Sequence, residues 1–437
     1  MKSVLKRVAP KSLISFYHFF LAWLAAFWFS HPSEKLVIIG VTGTNGKSTV
    51  IELVSMILRQ AGFKVSSVSS VRFEHPGRIW PNALKMTMPG RFELQHFLSD
   101  ALKSGSQYAV LEVTSEGIEQ FRHSFIHFDV AVITNLTPEH IESHGSLEAY
   151  KKAKEKLFRK LVSDSAKRIN GKVIERTFVV NNDDEFSRSL VGIRCDRLYT
   201  YSLQEEDKGI TIDFGSRWSL GDVSYSDKGI AFTLGGVAFG SYLLGEYNLS
   251  NILAAVSVGL SQGVGLQHIV RAVHEVAGVP GRFERLVTHK GFEVVVDYAH
   301  TPDALEKVYR TITSVLRPNK LICVLGSAGG GRDRWKRKEM GALAAKFCQV
   351  IFITNEDPYD EDPQLIIDDV AQGAGSQAEK VLDRKEAIHK AMHLAEIGDV
   401  VVLTGKGIEP WIMGPKGSKQ SWNEVEVVKE ELQNLSN

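Results

Sequence analysis

The chain has 437 residues, enough for roughly two or three domains with full-sized cores. Hydrophobic residues make up 43% and charged residues 24%, the balance of an ordinary soluble globular protein. A net charge of +1 excludes nucleic acid as a bulk electrostatic partner.

Residues 1–34 read as an N-terminal apolar helix. Lys2, Lys6, Arg7 and Lys11 precede an aromatic-rich run from Leu13 to Phe29, with Ser15, His18, Ala22 and Ala25 as a narrow small or polar stripe. The run reaches about 25 Å at the helical rise, short of a ~30 Å hydrocarbon core. It lacks a small-residue cleavage site, so a secreted precursor is not expected. Two placements remain. The helix lies on the inner face of the membrane through residues 12–30, or it packs on the domain that follows. The first suits Tyr17, Trp23 and Trp28 at the headgroup boundary and a basic flank on anionic lipid. A full span is disfavoured, because the basic N-terminus would stay inside and leave the rest of the chain outside.

Leu36–Ile39 reads as a buried parallel strand. Val50, Leu53, Val54, Ile57 and Leu58 then recur at helical spacing, and Gly62 stops the helix. Between them lies Gly43-Thr44-Asn45-Gly46-Lys47-Ser48-Thr49. Strand, glycine turn, lysine, hydroxyl and helix make the layout of a phosphate-binding loop. The glycines let backbone N–H groups close on phosphate oxygens, Lys47 reaches the outer phosphates, and Ser48 can hold Mg²⁺. The strict G-x-x-x-x-G-K-[ST] pattern fails at its first glycine, where Val41 stands.

Strands and helices alternate through residues 35–280, implying an α/β sheet. Tyr108–Val113, Asp129–Thr134 and Thr177–Val180 are strand runs; Leu147–Leu161, Leu249–Ser261 and Leu266–Val276 are helices. Ile210–Leu244 reads as antiparallel hairpins, an insertion or a sheet extension. Gly278-Val-Pro-Gly281 breaks the pattern. A second, Rossmann-like α/β series fills residues 281–437. Its strands are Val294–Asp297, Leu321–Leu325, Val350–Thr354 and Val400–Thr404; its helices are Asp303–Leu316, Lys338–Phe347 and Arg384–Leu394. Cys195, Cys323 and Cys348 are far apart, with no metal or disulfide pattern, and suit a reducing compartment. Cys323 is expected as a small core residue.

Open α/β sheets bind ligands beyond the carboxyl ends of their strands. Glu112 ends one such strand, where an acid would hold Mg²⁺. His140 follows another in Asn135-Leu-Thr-Pro-Glu-His140. Lys154 lies in a charge run, yet it falls on the apolar stripe of Tyr150, Ala153, Leu157, Phe158 and Leu161. A lysine on the buried face needs a partner or a modification, unless it snorkels out.

These motifs resemble the Mur ligases, and MurE in particular. Glu112-Val-Thr-Ser-Glu-Gly117 is similar to the family's Glu-Val-Ser-Ser-His-Gly, and Thr134–Gly145 to its Thr-Asn-Leu-x-x-Asp-His-Leu-Asp-x-His-Gly. Val296–Leu305, Gly281-Arg-Phe-Glu284 and Gly405-Lys-Gly407 also match. The resemblance implies an ADP-forming ligase, cytoplasmic and monomeric, that joins an amino acid to a UDP-muramoyl peptide with ATP and Mg²⁺. Lys47 and Ser48, with Gly43, Thr44, Asn45, Gly46 and Thr49, would bind phosphates. Glu112 would bind the first Mg²⁺, and His140 and a carbamylated Lys154 would serve the second. Asn251 would contact the base, Asp297 the ribose and Arg282 the γ-phosphate. Thr87, Thr114, Gln120 and Arg122 match muramoyl-peptide contacts; Arg332, Gly405 and Glu409 match residues around the incoming amino acid.

Three departures limit the carry-over. The amino-acid signature Asp-Asn-Pro-Arg reads Glu356-Asp-Pro-Tyr359, which removes an arginine and leaves Glu356 and Asp357 to favour an ammonium-bearing side chain. Gly-Lys-Gly-His-Glu reads Gly405-Lys-Gly-Ile-Glu409, and Met88 replaces a threonine. Residues 1–34 stand where the family has a uridine-binding domain. Alternatives are a Mur-like ligase acting on a lipid-linked or other non-UDP carboxylate, or a non-catalytic ATP-binding scaffold. The zinc-type cysteine cluster of the MurT partner is absent. A folylpolyglutamate synthetase fits Glu112-Val-Thr-Ser and Asp297-Tyr-Ala-His poorly. A GTPase is excluded because Asn319-Lys-Leu-Ile322 lacks the guanine-reading aspartate.

Overall fold

The structure, a computed structural model, describes residues 11–84, 86–139, 141–213 and 215–435. Two sheets organise it, one of 12 strands and one of 6. The centre of the larger sheet is parallel, in the order Arg197–Ser202, Thr177–Asn181, Val130–Ile133, Val37–Thr42, Tyr108–Glu112, Val65–Val68. The inner four, from Thr177–Asn181 to Tyr108–Glu112, are buried on both faces, which is why they read as mainly apolar runs. Helices Lys47–Gln60, Glu246–Ser261 and Leu266–Glu275 cover one face, and Arg91–Lys103 and Leu147–Ser163 the other. The segment from Gly209 to Ser241 is a sheet extension: four antiparallel strands continue one edge. Arg72–His75 and Arg78–Pro81 do the same at the other edge.

The smaller sheet begins at Glu284 and has the order Glu284–Val287, Glu293–Asp297, Val400–Thr404, Leu321–Leu325, Val350–Thr354, Ala378–Val381. All neighbours are parallel except the first pair. Helices Pro302–Thr311, Trp335–Phe347 and Pro363–Ala374 pack on one face, and Arg384–Leu394 and Glu424–Asn434 on the other.

Three local expectations change. The first strand runs on through Gly40 and Val41 to Thr42, so the position expected to be the loop's first glycine is still strand: Val41 pairs with Glu112 and is fully buried. The helix from Pro302 ends its α-helical turns at Thr311 and closes with a π turn, Ile312–Leu316. Cys323 is the core residue expected, but it is disulfide-bonded to Cys348, with Cα atoms 6.1 Å apart, where no disulfide pattern was expected. Their distance in sequence hides a neighbourhood that the parallel pairing of Leu321–Leu325 with Val350–Thr354 creates.

The N-terminal helix spans Lys11–Trp28. Its small residues Ala22, Ala25 and Ala26 are buried, which lets the helix approach the domain closely. Phe19 packs on Phe121 and Phe125, and Phe29 on His96 of helix Arg91–Lys103. The opposite face carries Phe16, Phe20, Trp23 and Phe27, whose rings touch in succession. These four are 43–65% exposed. Among the described residues, no helix is long and apolar enough to cross a membrane.

Candidate active site

Strand Val37–Thr42 lies between Tyr108–Glu112 and Val130–Ile133, the point where strand order reverses. A crevice opens there beyond the carboxyl ends. It widens into a cleft of about 970 Å³ lined by both sheets' loops.

The glycine turn is built for close approach. Gly43 has φ 143°, and a Cβ there would collide with Thr134 Oγ1; Gly46 has φ 84°, and a Cβ would meet the Asn251 side chain. Helix Lys47–Gln60 starts directly after Gly46, so its free N–H groups face the cleft. Asn135 fastens the turn by accepting the Asn45 N–H at 2.9 Å. Asn251 lines the cleft from helix Glu246–Ser261 and donates to Asn248 Oδ1 at 3.0 Å. Thr49 is buried behind the loop.

Ser48 Oγ donates to Glu112 Oε2 at 2.9 Å, and the Ser70 N–H donates to the same oxygen at 2.8 Å. Lys47 Nζ donates to Thr44 O at 2.8 Å and lies 3.8 Å from Glu112 Oε1. A hydroxyl and a carboxylate oxygen side by side at the foot of a phosphate loop are hard donors of the kind Mg²⁺ takes. Ser70 was missed in the sequence, because only the loop after strand Val65–Val68 brings it here.

Lys154 is 2% exposed. It does not snorkel: its Nζ donates to Gly43 O at 2.8 Å and lies 4.6 Å from the Tyr150 ring. Burial, then the positive charge of Lys47, pushes its pKa well below the usual lysine value. A cheaply deprotonated amine at the phosphate loop is what carbamate formation with CO₂ needs. His140 lies outside the described residues.

The second sheet closes the cleft. Arg282 donates to Ser70 Oγ at 3.1 Å and stacks 4.3 Å over the Tyr298 ring. Asp297 is buried; burial raises its pKa, while its oxygens accept the Phe283 and Ala299 N–H groups, each at 2.6 Å. These bonds shape the loop that carries Arg282. Contacts missed in the sequence join the two sheets' loops: Asn45 Nδ2 to Asp303 Oδ2 at 2.9 Å, and His300 Nε2 with Glu139 Oε1 at 3.0 Å. Lys336 donates to the His300 carbonyl at 2.9 Å. Glu139 and His300 both lie in motif segments, which was the available signal.

Thr87, Thr114 and Arg122 line the same cleft. Thr114 caps helix Ser115–Glu119 by accepting from the Gly117 N–H. Gln120 stands behind the cleft wall: its Oε1 accepts from Arg122 at 2.7 Å, and Arg122 also donates to the Met88 carbonyl. Arg332 and Glu409 line the cleft at the other end. Tyr359 takes the missing arginine's position and meets Arg332 through its hydroxyl at 3.2 Å. Asp357 is not available to a ligand, since Lys406 pairs with it at 3.0 Å and the Met413 N–H donates to it at 2.8 Å. Glu356 is also buried and stands behind the cleft lining, but its bonding differs. Its buried Oε2 has no hydrogen-bond partner and packs against Gly405. Burial raises its pKa.

Two family models match the chain: the Mur ligase middle domain over residues 41–259 and the Mur ligase glutamate ligase domain over residues 281–407. The chain is 36% identical over 399 residues to a UDP-N-acetylmuramoyl-L-alanyl-D-glutamate–2,6-diaminopimelate ligase of Synechocystis, covering 89% of this chain and 74% of that protein. The Bacillus cereus protein of the same name is 34% identical over 418 residues, covering 94% and 81%. A solved structure of a ligase with that name superposes with a TM-score of 0.59 at 31% identity, covering 92% of this chain and 79% of the other. The Mycobacterium tuberculosis folylpolyglutamate synthase, solved with ADP and AMPPCP, shares the fold at a TM-score of 0.68 and 16% identity.

Proposed function

This chain belongs to the Mur ligase family, and from that membership we propose that it joins an amino acid to a UDP-linked muramoyl peptide in peptidoglycan precursor synthesis, converting ATP to ADP. In this reading residues 35–280 bind the nucleotide and residues 281–437 bring the amino acid. The carrying observation is the fully buried Lys154 amine on the Gly43 carbonyl, beside Lys47 and Glu112.

The peptide carboxylate attacks the γ-phosphoryl group, giving an acyl phosphate and ADP. Lys47 and Arg282 oppose the charge that develops on the phosphate oxygens. Ser48 and Glu112 would hold one Mg²⁺, and carbamylated Lys154 a second with His140; bound there, the metal supplies charge neutralisation. The amine of the incoming amino acid then displaces phosphate, losing its proton as the amide forms. Bonds between the two sheets' loops keep water from the acyl phosphate. Thr87, Thr114 and Arg122 orient the peptide, with Gln120 holding Arg122. Mass spectrometry of products from ATP, UDP-muramoyl dipeptide and a panel of amino acids tests this. Amide product with ADP supports it; AMP and pyrophosphate, or no amide with any amino acid and either a UDP or a polyprenyl carrier, overturns it.

We also propose that the enzyme works as a monomer at the inner face of the membrane, held by residues 12–30. The support is a division of labour on one helix. Its alanine face is buried on the domain while the Phe16, Phe20, Trp23 and Phe27 ridge faces out, and the sequence before the helix carries Lys2, Lys6 and Arg7, which lie outside the described residues. Because Phe19 packs on Phe121, beside Arg122, a docked helix would set the muramoyl end of the cleft at the lipid surface. That favours a lipid-linked acceptor as the second reading of substrate. Flotation with anionic vesicles decides: the full chain should float, and a Phe16→Ser, Trp23→Ser, Phe27→Ser variant should not. Equal behaviour of the two, or concentration-dependent dimers of the full chain alone, sinks the membrane contact.

A further inference from the structure

A second cluster of ligating side chains lies in the C-terminal part of the chain. His389 and His393 are one turn apart on helix Arg384–Leu394, so they project from the same face. Their ring centroids lie 3.9 Å apart, the planes tilted by 37°. Glu431 reaches them from helix Glu424–Asn434, its carboxylate buried and 2.7 Å from His389 Nδ1. One ligand atom from each of the three residues lies within 4.8 Å of the others.

The hydrogen bonds fix the tautomers. His393 Nδ1 lies 2.9 Å from the His389 carbonyl, which can only accept, so Nδ1 carries the proton and Nε2 keeps its lone pair. This is the carbonyl-oriented imidazole found behind metal-binding histidines. His389 shares a proton with a carboxylate that offers further lone pairs. Glu431 is therefore a buried carboxyl group whose ring partner is itself a ligand type. The rings are exposed, so an ion has a path in and a position open to water.

We propose that His389, His393 and Glu431 bind a borderline divalent transition-metal ion, with Zn²⁺ the best match. Two imidazole nitrogens and one carboxylate oxygen form a set Zn²⁺ uses and Mg²⁺ does not. Entry of the ion displaces the proton shared by His389 and Glu431, which leaves to solvent. Two ligands come from one helix and one from the next, so the ion pins the C-terminal helix to the domain. The site lies at the far end of helix Arg384–Leu394 from the ligase cleft. Arg384, at the near end, donates to the Thr404 carbonyl beside Gly405. His393 is nine residues further on, about 14 Å at the helical rise. The ion would thus act on stability rather than on chemistry.

The test is calorimetric titration with Zn²⁺ while Mg²⁺ saturates the ligase cleft, on the full chain and on His393→Gln. The full chain should take up one more equivalent than the variant, with heats that differ between buffers of different ionisation enthalpy because a proton is released. Zn²⁺ should raise the Tm of the full chain and leave that of His393→Gln unmoved, while the two match without metal. If His393→Gln is itself destabilised, His389→Gln replaces it as the comparison. The proposal fails if Zn²⁺ stoichiometry and Tm response are the same with and without the histidine, the result expected of a simple helix–helix contact.

Discussion

The Lys154 Nζ sits 2.8 Å from the Gly43 carbonyl, so the first residue of the phosphate loop is tied to a lysine more than a hundred positions away. Burial keeps that amine easy to deprotonate, and the neighbouring Lys47 charge adds to the effect. Lys154→Ala should lose at least about 100-fold in ligase activity, comparable to removing a strong electrostatic donor. If the working form is a carbamate, a short carboxylic acid should restore part of the rate by occupying the vacated volume. Rate measurements with and without added acid check this. Full activity in the unsupplemented variant would end the assignment.

Glu356 and Asp357 carry different expectations although they are adjacent. Lys406 bonds to Asp357 and its charge also reaches Glu356, but the Glu356 Oε2 has no hydrogen-bond partner. Tyr359 cannot make the paired bonds to a carboxylate that an arginine makes. An amino acid with a distal ammonium, such as lysine, should therefore be used better than diaminopimelate, whose distal end also carries a carboxylate. Glu356→Gln should erase the preference, by about tenfold for a charge-assisted bond. Competition assays reporting kcat/KM for both amino acids decide. A tenfold preference for diaminopimelate in the unaltered enzyme contradicts the expectation.

The bridge from Asn45 to Asp303 links the phosphate loop to helix Pro302–Thr311. Asp303 is partly exposed, so its loss should leave the fold stable. A hydrogen bond of this kind contributes about 0.5–1.5 kcal/mol, or roughly two- to tenfold in the closed population. Asp303→Ala should therefore release more ADP per amide formed, as water reaches the acyl phosphate. The ratio of ADP to amide product is the measurement. An unchanged ratio would show that the bridge does not guard the intermediate.

Much of this site was legible because its signals are local. Gly43 to Ser48 make a glycine turn from strand into helix whatever surrounds them, and Glu112 ends a strand whose apolar run is plain. Helical spacing alone put Lys154 on the apolar stripe, and only the structure excludes snorkelling. The rest depends on contacts that periodicity does not encode. Ser70 and Asp303 reach the site through loop placement. Asp357 reads as a free acid until Lys406 is seen beside it. Cys323 and Cys348 become neighbours only once parallel strands are paired. The N-terminal helix posed a choice between docking and exposure. The structure pairs a buried alanine face with an exposed aromatic one, a division already hinted at by the Ala22 and Ala25 stripe.

His123, which follows the cleft-lining Arg122 in the chain, gives a stability prediction. Burial, with the charges of Lys160 and Lys156, pushes its imidazole down to about 3. Its Nδ1 has no hydrogen-bond partner. In the unfolded chain the ring titrates near ~6.5. Between those values the unfolded state binds a proton that the folded state refuses. The folded state therefore loses stability as pH falls through about 6.5, and the loss stops growing below about 3. The slope can reach about 1.4 kcal/mol per pH unit for one group. His123→Met keeps the volume and removes the titration. Urea unfolding at pH 7.5 and pH 5 should show a large drop in midpoint for the unaltered protein and a clearly smaller one for the variant. Equal drops would assign the acid sensitivity to other groups and show that the buried ring is protonated without cost.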